Sequence, residues 1–358
     1  MSENRRANLH HPKKKKRKRI VRWILMPLLL ITVTVGAYGA HLYSKAESVI
    51  NKSYQPIDRE GKRANVNPFE ENISVLFIGV DDSQKRKLEG NTRTDAMMLA
   101  TFNKDDKSVK LLSIPRDSYV YIPGQDVYTK INHAHAYGGV EMTLDTVENL
   151  LDVPVDYYVK MNFNAFMDVI DALNGIEVDV PVTFTEQDSK DKAGAITLEK
   201  GLQTLNGEEA LALARTRKID NDIERGKRQQ LIIKAIISKA ASAKSVANYT
   251  DVMEAIGENM STDLRFNEMV SFIDYATAGN KLSTETLNLA GADSRINGIY
   301  YYQLDEAALA QTKLELQTHL GLAETTTEAD SVTTPETGTT TDTGITTDPA
   351  TTETTPSY

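Results

Sequence analysis

Short apolar runs in the first half of the chain predict buried β-strands. Residues 73–80 read ISVLFIGV and residues 96–102 read AMMLATF, without the apolar–polar alternation of a half-exposed sheet. Runs at 108–114 (SVKLLSI) and 155–161 (VDYYVKM) continue the series. Near-continuous apolar strands are typical of sheets covered on both faces, so this pattern predicts helices on either side of a sheet.

Segments with helical spacing lie between and after these strands. Residues 139–151 place apolar side chains on one face, and the next helix is opened by an amide cap at Asn162 and closed at Gly175. Further helices are predicted at 207–214, 222–243, 266–278 and 304–320, with strands at 176–180, 286–290 and 298–302. This alternation of helices and strands indicates a layered α/β domain.

The N-terminus joins a basic cluster to an apolar stretch. Residues 1–22 hold ten Lys or Arg against the single acid Glu3, a net charge of +9, which leaves -18 for the rest of a chain whose net charge is -9. Residues 23–40 contain no charge, and they are long enough to cross the roughly 30 Å hydrocarbon core of a bilayer once. The positive-inside rule then places 1–22 in the cytoplasm and the remainder outside.

Two other interpretations of this N-terminus stay open. Ala37-Tyr38-Gly39 resembles a cleavage site, which would make 23–40 a removable signal peptide. PKKKKRKR alone is also typical of a nuclear import signal or a DNA-binding arm. We expect an uncleaved anchor, because the apolar run is long for a signal peptide and anionic inner-leaflet lipid is the first partner the basic cluster meets.

The C-terminal residues 324–358 differ in composition from the rest of the chain. They hold sixteen Thr and seven acids among thirty-five residues, with no Lys or Arg. Such a segment cannot bury enough apolar surface to offset its chain entropy, so we predict a disordered spacer, or an acceptor for O-linked sugar. With a juxtamembrane linker at 41–69, the folded extracytoplasmic domain is then 70–323, which is ample for one core.

Several classes of chemistry lose support from the residues that are missing. The chain has no cysteine, which excludes disulfides, thiolate chemistry and sulfur-ligated zinc. No P-loop, GxGxxG fingerprint or GxSxG turn stands in a strand–turn–helix context, which argues against nucleotide and acyl chemistry. His133 and His135 diverge at a helix start, so we expect His133 to order a loop or contact substrate rather than bind a metal with His135.

Charged residues stand where the predicted strands begin and end. Asp81 follows the first strand, Arg93 and Asp95 lead into the second, and Arg116 and Asp117 follow the third. Strand ends are where α/β sheets build their sites. If Asp81 and Asp95 meet, Mg²⁺ bound jointly with a substrate phosphate would relieve their repulsion; two solvated loop acids are the alternative.

A second group of arginines begins at Arg215 and Arg217. Residues two apart on a helix point about 200° apart, so these two converge on one ligand only if the helix ends before them. Asp222, Arg225 and Gln229 share one face of the following helix. Guanidinium groups bind phosphate oxygens bidentately, so these side chains suit a pyrophosphate; a surface salt-bridge network is the alternative.

Six motifs, in this order, resemble the LytR-CpsA-Psr family of cell-wall polymer transferases. They are Gly79-Val80-Asp81, Arg93-Thr94-Asp95, Ser113-Ile114-Pro115-Arg116-Asp117, Lys130-Ile131-Asn132-His133-Ala134, Leu205-Asn206-Gly207 with Ala210-Leu211, and Arg215-Thr216-Arg217 through Arg228-Gln229-Gln230. The resemblance covers about 74–231, and the single anchor fits it. Ala96 and His135 depart from it, since the family often has Thr or Ser at the first position and Tyr at the second.

The resemblance implies an αβα sandwich with a central mixed sheet, and a hydrophobic pocket that holds a polyprenyl chain with its pyrophosphate at the mouth. Carried over by position, Asp81 and Asp95 would bind Mg²⁺, with Mn²⁺ as an alternative ion, and would form the catalytic set with Arg93 and Arg116. The pyrophosphate ligands would be Arg93, Arg116, Arg215, Arg217 and Gln229, and the supporting residues Asp117, Asp222 and Arg225.

The resemblance also implies a reaction at the outer surface of a Gram-positive cell membrane. An anionic glycopolymer, teichoic acid or capsular polysaccharide, would move from an undecaprenyl-pyrophosphate carrier to peptidoglycan. A hydrolase that uses water as the acceptor is one alternative, and a membrane-bound transcriptional attenuator is another. Nucleic-acid binding is not expected, because a short basic arm supplies charge without reading bases.

Overall fold

The computed structural model describes residues 40, 44–45, 47–48, 51–57, 63, 66–80, 94–219, 222–240, 259–272, 275 and 282–322. Within these residues the strands are β1 (Ile73–Val80), β2 (Thr94–Asn103), β3 (Ser108–Ser113), β4 (Tyr119–Ile122), β5 (Val127–Lys130), β6 (Tyr157–Asn162), β7 (Ile176–Val180), β8 (Phe184–Glu186), β9 (Ile196–Leu198), β10 (Gly201–Leu205), β11 (Met260–Thr262), β12 (Ser283–Asn288), β13 (Gly291–Ile296) and β14 (Ile299–Leu304). The helices are α1 (His133–Leu151), α2 (Phe163–Ala172), α3 (Gly207–Arg215), α4 (Asp222–Ala240), α5 (Phe266–Val270) and α6 (Glu306–Leu320).

The central sheet has six strands in the order β11-β6-β1-β2-β3-β12. The pairs β1–β6 and β3–β12 are parallel. The pairs β1–β2, β2–β3 and β6–β11 are antiparallel. The α/β class with a central mixed sheet is therefore confirmed.

One face of this sheet, which we call the α1/α6 face, is a closed core. Leu76 and Leu99 are fully buried there, packed in one cluster with Leu144 of α1 and Leu316 of α6. Apolar side chains at three- and four-residue spacing give both helices a stripe that covers the strands. Of the three apolar clusters among the described residues, the one on this face contains the most buried side chains.

The opposite face, which we call the α4 face, is covered less completely. Val75 and Met98 belong to its core with Leu264, while Phe77 and Ile233 are only partly buried at its edge. A third cluster joins α2, α3 and α4 to the two-stranded antiparallel sheet of β7 and β10. Helices therefore lie on both faces of the sheet, as the continuous apolar runs predict.

Most predicted elements appear near their predicted bounds, with two corrections. The strands predicted at 73–80 and 176–180 have those bounds, and the helix predicted from 139 continues one that starts at His133, with non-helical Gly138 and Gly139 at the kink. The helix predicted at 266–278 is interrupted, because α5 ends at Val270 and a turn follows at 271–272; Tyr275 is helical again, and 273–274 and 276–278 lie outside the described residues. The hairpins β4–β5 and β8–β9, and the strand β13 that pairs with the predicted strand β14, were not predicted, because these strands lack long apolar runs.

Contacts with the domain begin before residue 70. Tyr54 forms a parallel bridge with Thr262, and Arg63 donates to both carboxylate oxygens of the buried Asp156 at 2.7 and 2.5 Å. None of the helices in the described ranges is both long enough and apolar enough to cross a membrane. The predicted anchor lies outside the described residues except for Ala40, and so does the predicted tail.

Candidate functional site

A cavity of about 470 Å³ lies between the α4 face of the sheet and helices α2, α3 and α4. This volume is within the roughly 300–1,000 Å³ typical of small-molecule sites. The apolar lining comes from strands and from all three helices: Phe77, Met98, Met161, Phe163, Phe166, Leu211, Ile232 and Ile233.

Polar side chains also line this cavity, and those that come from the sheet stand where β1, β3 and β6 end and β2 begins. They are Asp95, Arg116, Asn162, Gln187, Ser189, Asp191, Arg215, Arg217, Arg225 and Gln229. The carboxyl ends of β1 and β6 meet here because these strands are parallel. The predicted convergence of distant arginines on one site is found for every one of them that the structure describes.

A bulge directs Asp95 into the cavity. Gly79 pairs with Ala96 and Val80 pairs with Thr94, so the register skips Asp95. Side chains alternate between faces in a regular strand, and Asp95 would then point away from the face that Ala96 occupies. The extra residue breaks the alternation, so Asp95 and Ala96 both line the cavity. Close approach is possible because residue 79 is glycine: a Cβ there would lie 3.2 Å from the Cβ of Ala96.

Asp95 holds Arg116 in place and lies close to Arg217. Its Oδ1 accepts a hydrogen bond from Nη1 of Arg116 at 2.6 Å and lies 3.9 Å from Nη2 of Arg217. Asp117 stands on the other side, with its Oδ2 3.5 Å from Nε of Arg116 and its Oδ1 2.7 Å from Nζ of Lys130. Asp117 is buried and supports Arg116 without lining the cavity, as predicted for a supporting residue.

Arg215 is fixed against the loop that follows β8. Its Nη2 donates to the carbonyl oxygens of Gln187 and Asp188. Arg215 is the last residue of α3, and Thr216 leaves the helix with φ -57° and ψ 136°. The sequence analysis required the helix to end before Arg215, and this boundary was wrong by one residue. Arg215 and Arg217 nevertheless line the same cavity.

Two cavity residues come from adjacent turns of α4. Arg225 is 5% exposed, and Gln229 donates from Nε2 to the carbonyl oxygen of Ala214 at 3.2 Å. The predicted shared face of these residues is confirmed. The nearby Arg228 is buried and donates from Nε to the carbonyl oxygen of Leu213 at 3.0 Å, so it binds the C-terminal end of α3.

The loop after β8 supplies polar side chains that the sequence analysis missed. Gln187, Ser189 and Asp191 alternate along it and line the cavity. Ser189 donates from its backbone N–H to Oε2 of Glu208 at 2.8 Å, and its hydroxyl donates to Oε1 of the same carboxylate. The available signal was the unbroken run of polar residues at 186–192, which does not show which of them face the cavity.

Hydrogen bonds lower the pKa values of two carboxyl groups beside this loop. Backbone N–H groups of Lys192 and Lys190 donate to Asp188 and, with the charges of these lysines, lower the pKa of its carboxyl. Burial raises the pKa of Glu186, but hydrogen bonds from the backbone of Gln187 and the side chain of Lys218 outweigh that effect and leave the pKa below its usual value.

The remaining predicted residues are placed as follows. Asp81 and Arg93 lie outside the described residues, as does the side chain of Asp222. His133 accepts or donates through Nδ1 to Oγ1 of Thr129 at 2.9 Å and is not among the cavity-lining residues, which matches the loop-ordering alternative.

A metal ion fits this site only with help from substrate oxygens or from residues beyond those described. Among the described residues, no group of three or more acidic or histidine side chains is placed to hold an ion. Asp95 supplies a hard oxygen at the cavity, and its Oδ1 also contacts Arg116. This donor set matches Mg²⁺ bound through one or two carboxylates plus phosphate oxygens.

A family model described as LytR_cpsA_psr family matches residues 40–318 of this chain. The chain belongs to the LytR_cpsA_psr family. The resemblance seen in the six sequence motifs is thus confirmed. A relative is the polyisoprenyl-teichoic acid–peptidoglycan teichoic acid transferase TagT of Bacillus subtilis (strain 168), 40% identical over 319 residues that cover 87% of this chain and 98% of that protein.

Solved structures of the LytR_cpsA_psr family align with the same domain. TagT bound to LIIa-WTA is 40% identical with a TM-score of 0.62, covering 75% of this chain and 99% of that one. The family protein YwtF (TagT) with bound octaprenyl pyrophosphate lipid is 38% identical with a TM-score of 0.58, covering 75% and 99%. Both similarities extend over nearly the whole of the solved chains.

Proposed function

We propose that this chain transfers an anionic glycopolymer of the teichoic acid class from a polyprenyl-pyrophosphate carrier to peptidoglycan. The observation that carries the proposal is the gathering of Arg116, Arg215, Arg217 and Arg225 in the lining of one apolar cavity. The name of the relative TagT and the octaprenyl pyrophosphate in a similar structure support the same chemistry.

The two parts of the cavity suit the two parts of such a carrier. Phe77, Met98 and Met161 offer apolar surface to a prenyl chain. Transfer of the chain from water to this surface lowers the free energy. Guanidinium groups stay charged at any physiological pH and bind phosphate oxygens in pairs. Asp95 lies against both Arg116 and Arg217, so the two guanidinium groups stand together in the lining of the cavity where a diphosphate would bind.

The transfer is a displacement at the phosphorus that carries the polymer. A peptidoglycan hydroxyl forms the new O–P bond, the bond from that phosphorus to the bridging oxygen breaks, and polyprenyl phosphate leaves with the electron pair. The hydroxyl proton goes to a base in the site. Donors held in place before the reaction stabilise the charge that develops on the leaving oxygen, and Arg116 is such a donor.

We propose Asp95 and Asp81 as the residues that hold Mg²⁺, with Mn²⁺ as an alternative ion. β1 ends at Val80, which pairs with Thr94 beside Asp95, and Asp81 is the next residue in the chain. When bound, Mg²⁺ supplies neutralising charge to pyrophosphate oxygens. The proposal has three further parts. The carrier lipid is undecaprenyl pyrophosphate, and capsular polysaccharide is another polymer that would be transferred. Residues 23–40 would anchor the chain in the membrane with the domain outside the cell.

The test uses the full chain in liposomes with a polyprenyl-pyrophosphate-linked teichoic acid and purified peptidoglycan. We expect polymer to become attached to peptidoglycan and polyprenyl phosphate to be released, both dependent on Mg²⁺ and both lost on chelation. Release of polyprenyl phosphate at the same rate without peptidoglycan would instead favour the hydrolase. Activity that survives chelation would contradict the assignment of the metal but not that of the transfer reaction.

A further inference from the structure

The outer face of the β4–β5 hairpin is aromatic. Val120 and Ile122 are buried, and Val120 belongs to the core of the α1/α6 face, so Tyr119 and Tyr121 lie on the other side of the strand. Tyr128 on β5 is 62% exposed. The solvent face of a hairpin usually carries polar or charged residues, and an exposed aromatic surface is typical of an interaction site.

The tyrosine rings form a continuous row that runs from the exposed Tyr128 to the buried Tyr301 of β14. Ring centroids are 5.4 Å apart for Tyr121 and Tyr128, 5.7 Å for Tyr119 and Tyr128, and 4.9 Å for Tyr119 and Tyr301. Tyr300 adjoins them through a shared cation. We call Tyr119, Tyr121, Tyr128, Tyr300 and Tyr301 the tyrosine patch.

A chain of ionic contacts connects the tyrosine patch to the mouth of the cavity. Nζ of Lys130 lies 5.6 Å from the ring centroid of Tyr300 and 5.8 Å from that of Tyr301. The same Nζ is 2.7 Å from Asp117, whose other oxygen is 3.5 Å from Nε of Arg116. Arg116 lines the cavity, so one buried carboxylate, that of Asp117, links the cation of the patch to the site where transfer is proposed.

Two hydroxyls of the tyrosine patch donate to acids. Tyr121 donates to Oδ1 of Asp126, and Tyr300 donates to Oδ1 of Asp293 at 2.9 Å. Tyrosine combines an apolar ring face with a polar tip. A sugar ring has the matching surface, because its axial C–H groups form an apolar face and its hydroxyls form a polar rim.

Charge favours a glycan over a bilayer as the occupant. Lys130 is paired with Asp117, and Arg295 lies opposite Tyr300 in the β13–β14 register. These two cations stand against two acids that contact tyrosines of the patch, Asp126 and Asp293, so the described residues of the patch carry no excess positive charge. Binding to anionic lipid depends on such an excess, whereas binding to a sugar ring does not.

We propose that the tyrosine patch binds the glycan strand of the peptidoglycan acceptor and presents a sugar hydroxyl beside Arg116. The identity of the acceptor rests on the proposed function; the surface and its chemistry do not. Cross-strand tyrosine pairs also stabilise hairpins, so the test must separate binding from stability.

The first experiment measures cosedimentation of the full chain, in detergent, with purified peptidoglycan sacculi stripped of wall polymer. Tyr128→Ser should weaken binding roughly three- to tenfold, the effect of losing one aromatic contact. Tyr128→Phe should restore it, because the ring face is retained. The matched control is Phe69→Ser, which removes an aromatic side chain that is 43% exposed and lies outside the patch.

The second experiment separates the patch from the carrier site. With carrier and peptidoglycan, Tyr128→Ser should raise the KM for peptidoglycan at nearly unchanged kcat, while binding of the polyprenyl-pyrophosphate donor stays as in the unmodified chain. If the unmodified chain transfers nothing, the proposed function fails, yet the cosedimentation result still decides the glycan surface.

Three results would overturn the glycan surface. One is sacculus binding by Tyr128→Ser equal to that of the unmodified chain while thermal unfolding shows both folded. Another is failure of Tyr128→Phe to restore binding. The third is a Tyr128→Ser chain that no longer binds phosphatidylglycerol vesicles but still binds sacculi. That result would assign the tyrosine patch to a lipid surface.

Discussion

The two faces of the central sheet use the same strands for different purposes. On the α1/α6 face, Leu76 and Leu99 are 0% exposed and contact helices across a filled core. On the α4 face, neighbouring positions such as Phe77 and Met161 line a cavity of about 470 Å³. Protein interiors are packed about as densely as organic crystals, so a volume of this size beside a filled core is a feature that a ligand explains better than packing does.

This difference shows how one strand serves both stability and binding. Consecutive residues of β1 point to opposite faces, so the α1/α6 face carries the packing that holds the strand in place. The α4 face is then free to keep an opening. At the strand end, the bulge at Asp95 moves a carboxylate into the cavity that regular alternation would have directed elsewhere.

The largest expected effect comes from removing a cation at the mouth of the cavity. Arg116→Ala should lower the rate of polymer transfer by about 10²- to 10³-fold, the cost of losing one donor that stabilises developing charge. The measurement is transfer by the full chain in liposomes. Arg265→Ala, a change at an exposed arginine that contacts Tyr54, is the control and should leave transfer unchanged. Equal rates for Arg116→Ala and Arg265→Ala would remove the basis for a pyrophosphate site.

The comparison of the two faces can be tested directly with a pair of truncations. Leu99→Ala should lower the free energy of unfolding by about 3–5 kcal/mol, because it opens a cavity in a filled core. Phe77→Ala should cost less stability, since its ring already borders open volume, but should weaken retention of polyprenyl pyrophosphate. Urea unfolding and lipid binding measure the two effects. Equal destabilisation by the two changes would mean that the faces are packed alike.

A smaller effect is expected from the pH dependence of the α1/α6 face. His319 is buried, with Nδ1 2.8 Å from Oγ1 of Thr101 and Nε2 2.8 Å from Oγ of Ser108. Burial, assisted by the charge of Lys110 and opposed by Asp106, Glu285 and Glu315, lowers the pKa of His319 from 6.5 to about 4.

Between these two pKa values the unfolded chain binds a proton that the folded chain does not. The stabilisation is therefore complete above about pH 6.5 and is lost progressively as the pH falls toward 4, by about 3 kcal/mol in all. His319→Gln keeps polar partners without titrating in this range, so its free energy of unfolding should vary less with pH. Parallel pH curves for the two proteins would rule out His319 as the source.

Particular residues show how far the sequence leads. The run at 73–80 predicts β1 because it is apolar throughout. Asn162 predicts a helix start because an amide side chain can accept a backbone N–H of the first helical turn. In the structure its Oδ1 accepts the backbone N–H of Ala165. Glu208, by contrast, fixes Ser189 across the cavity wall, a contact between residues 19 positions apart that no local pattern announces.

The sequence by itself determined the α/β class, the arginines and acids at strand ends, and the resemblance to the LytR_cpsA_psr family, because apolar periodicity and short motifs are local properties. Only the tertiary structure decided that Asp95 reaches the cavity through a bulge and that Arg215 is held by backbone carbonyls. It also decided that tyrosines from β4, β5 and β14 form one surface. Each of these depends on strand register and on contacts between distant segments, which the free energy of the whole packed domain selects.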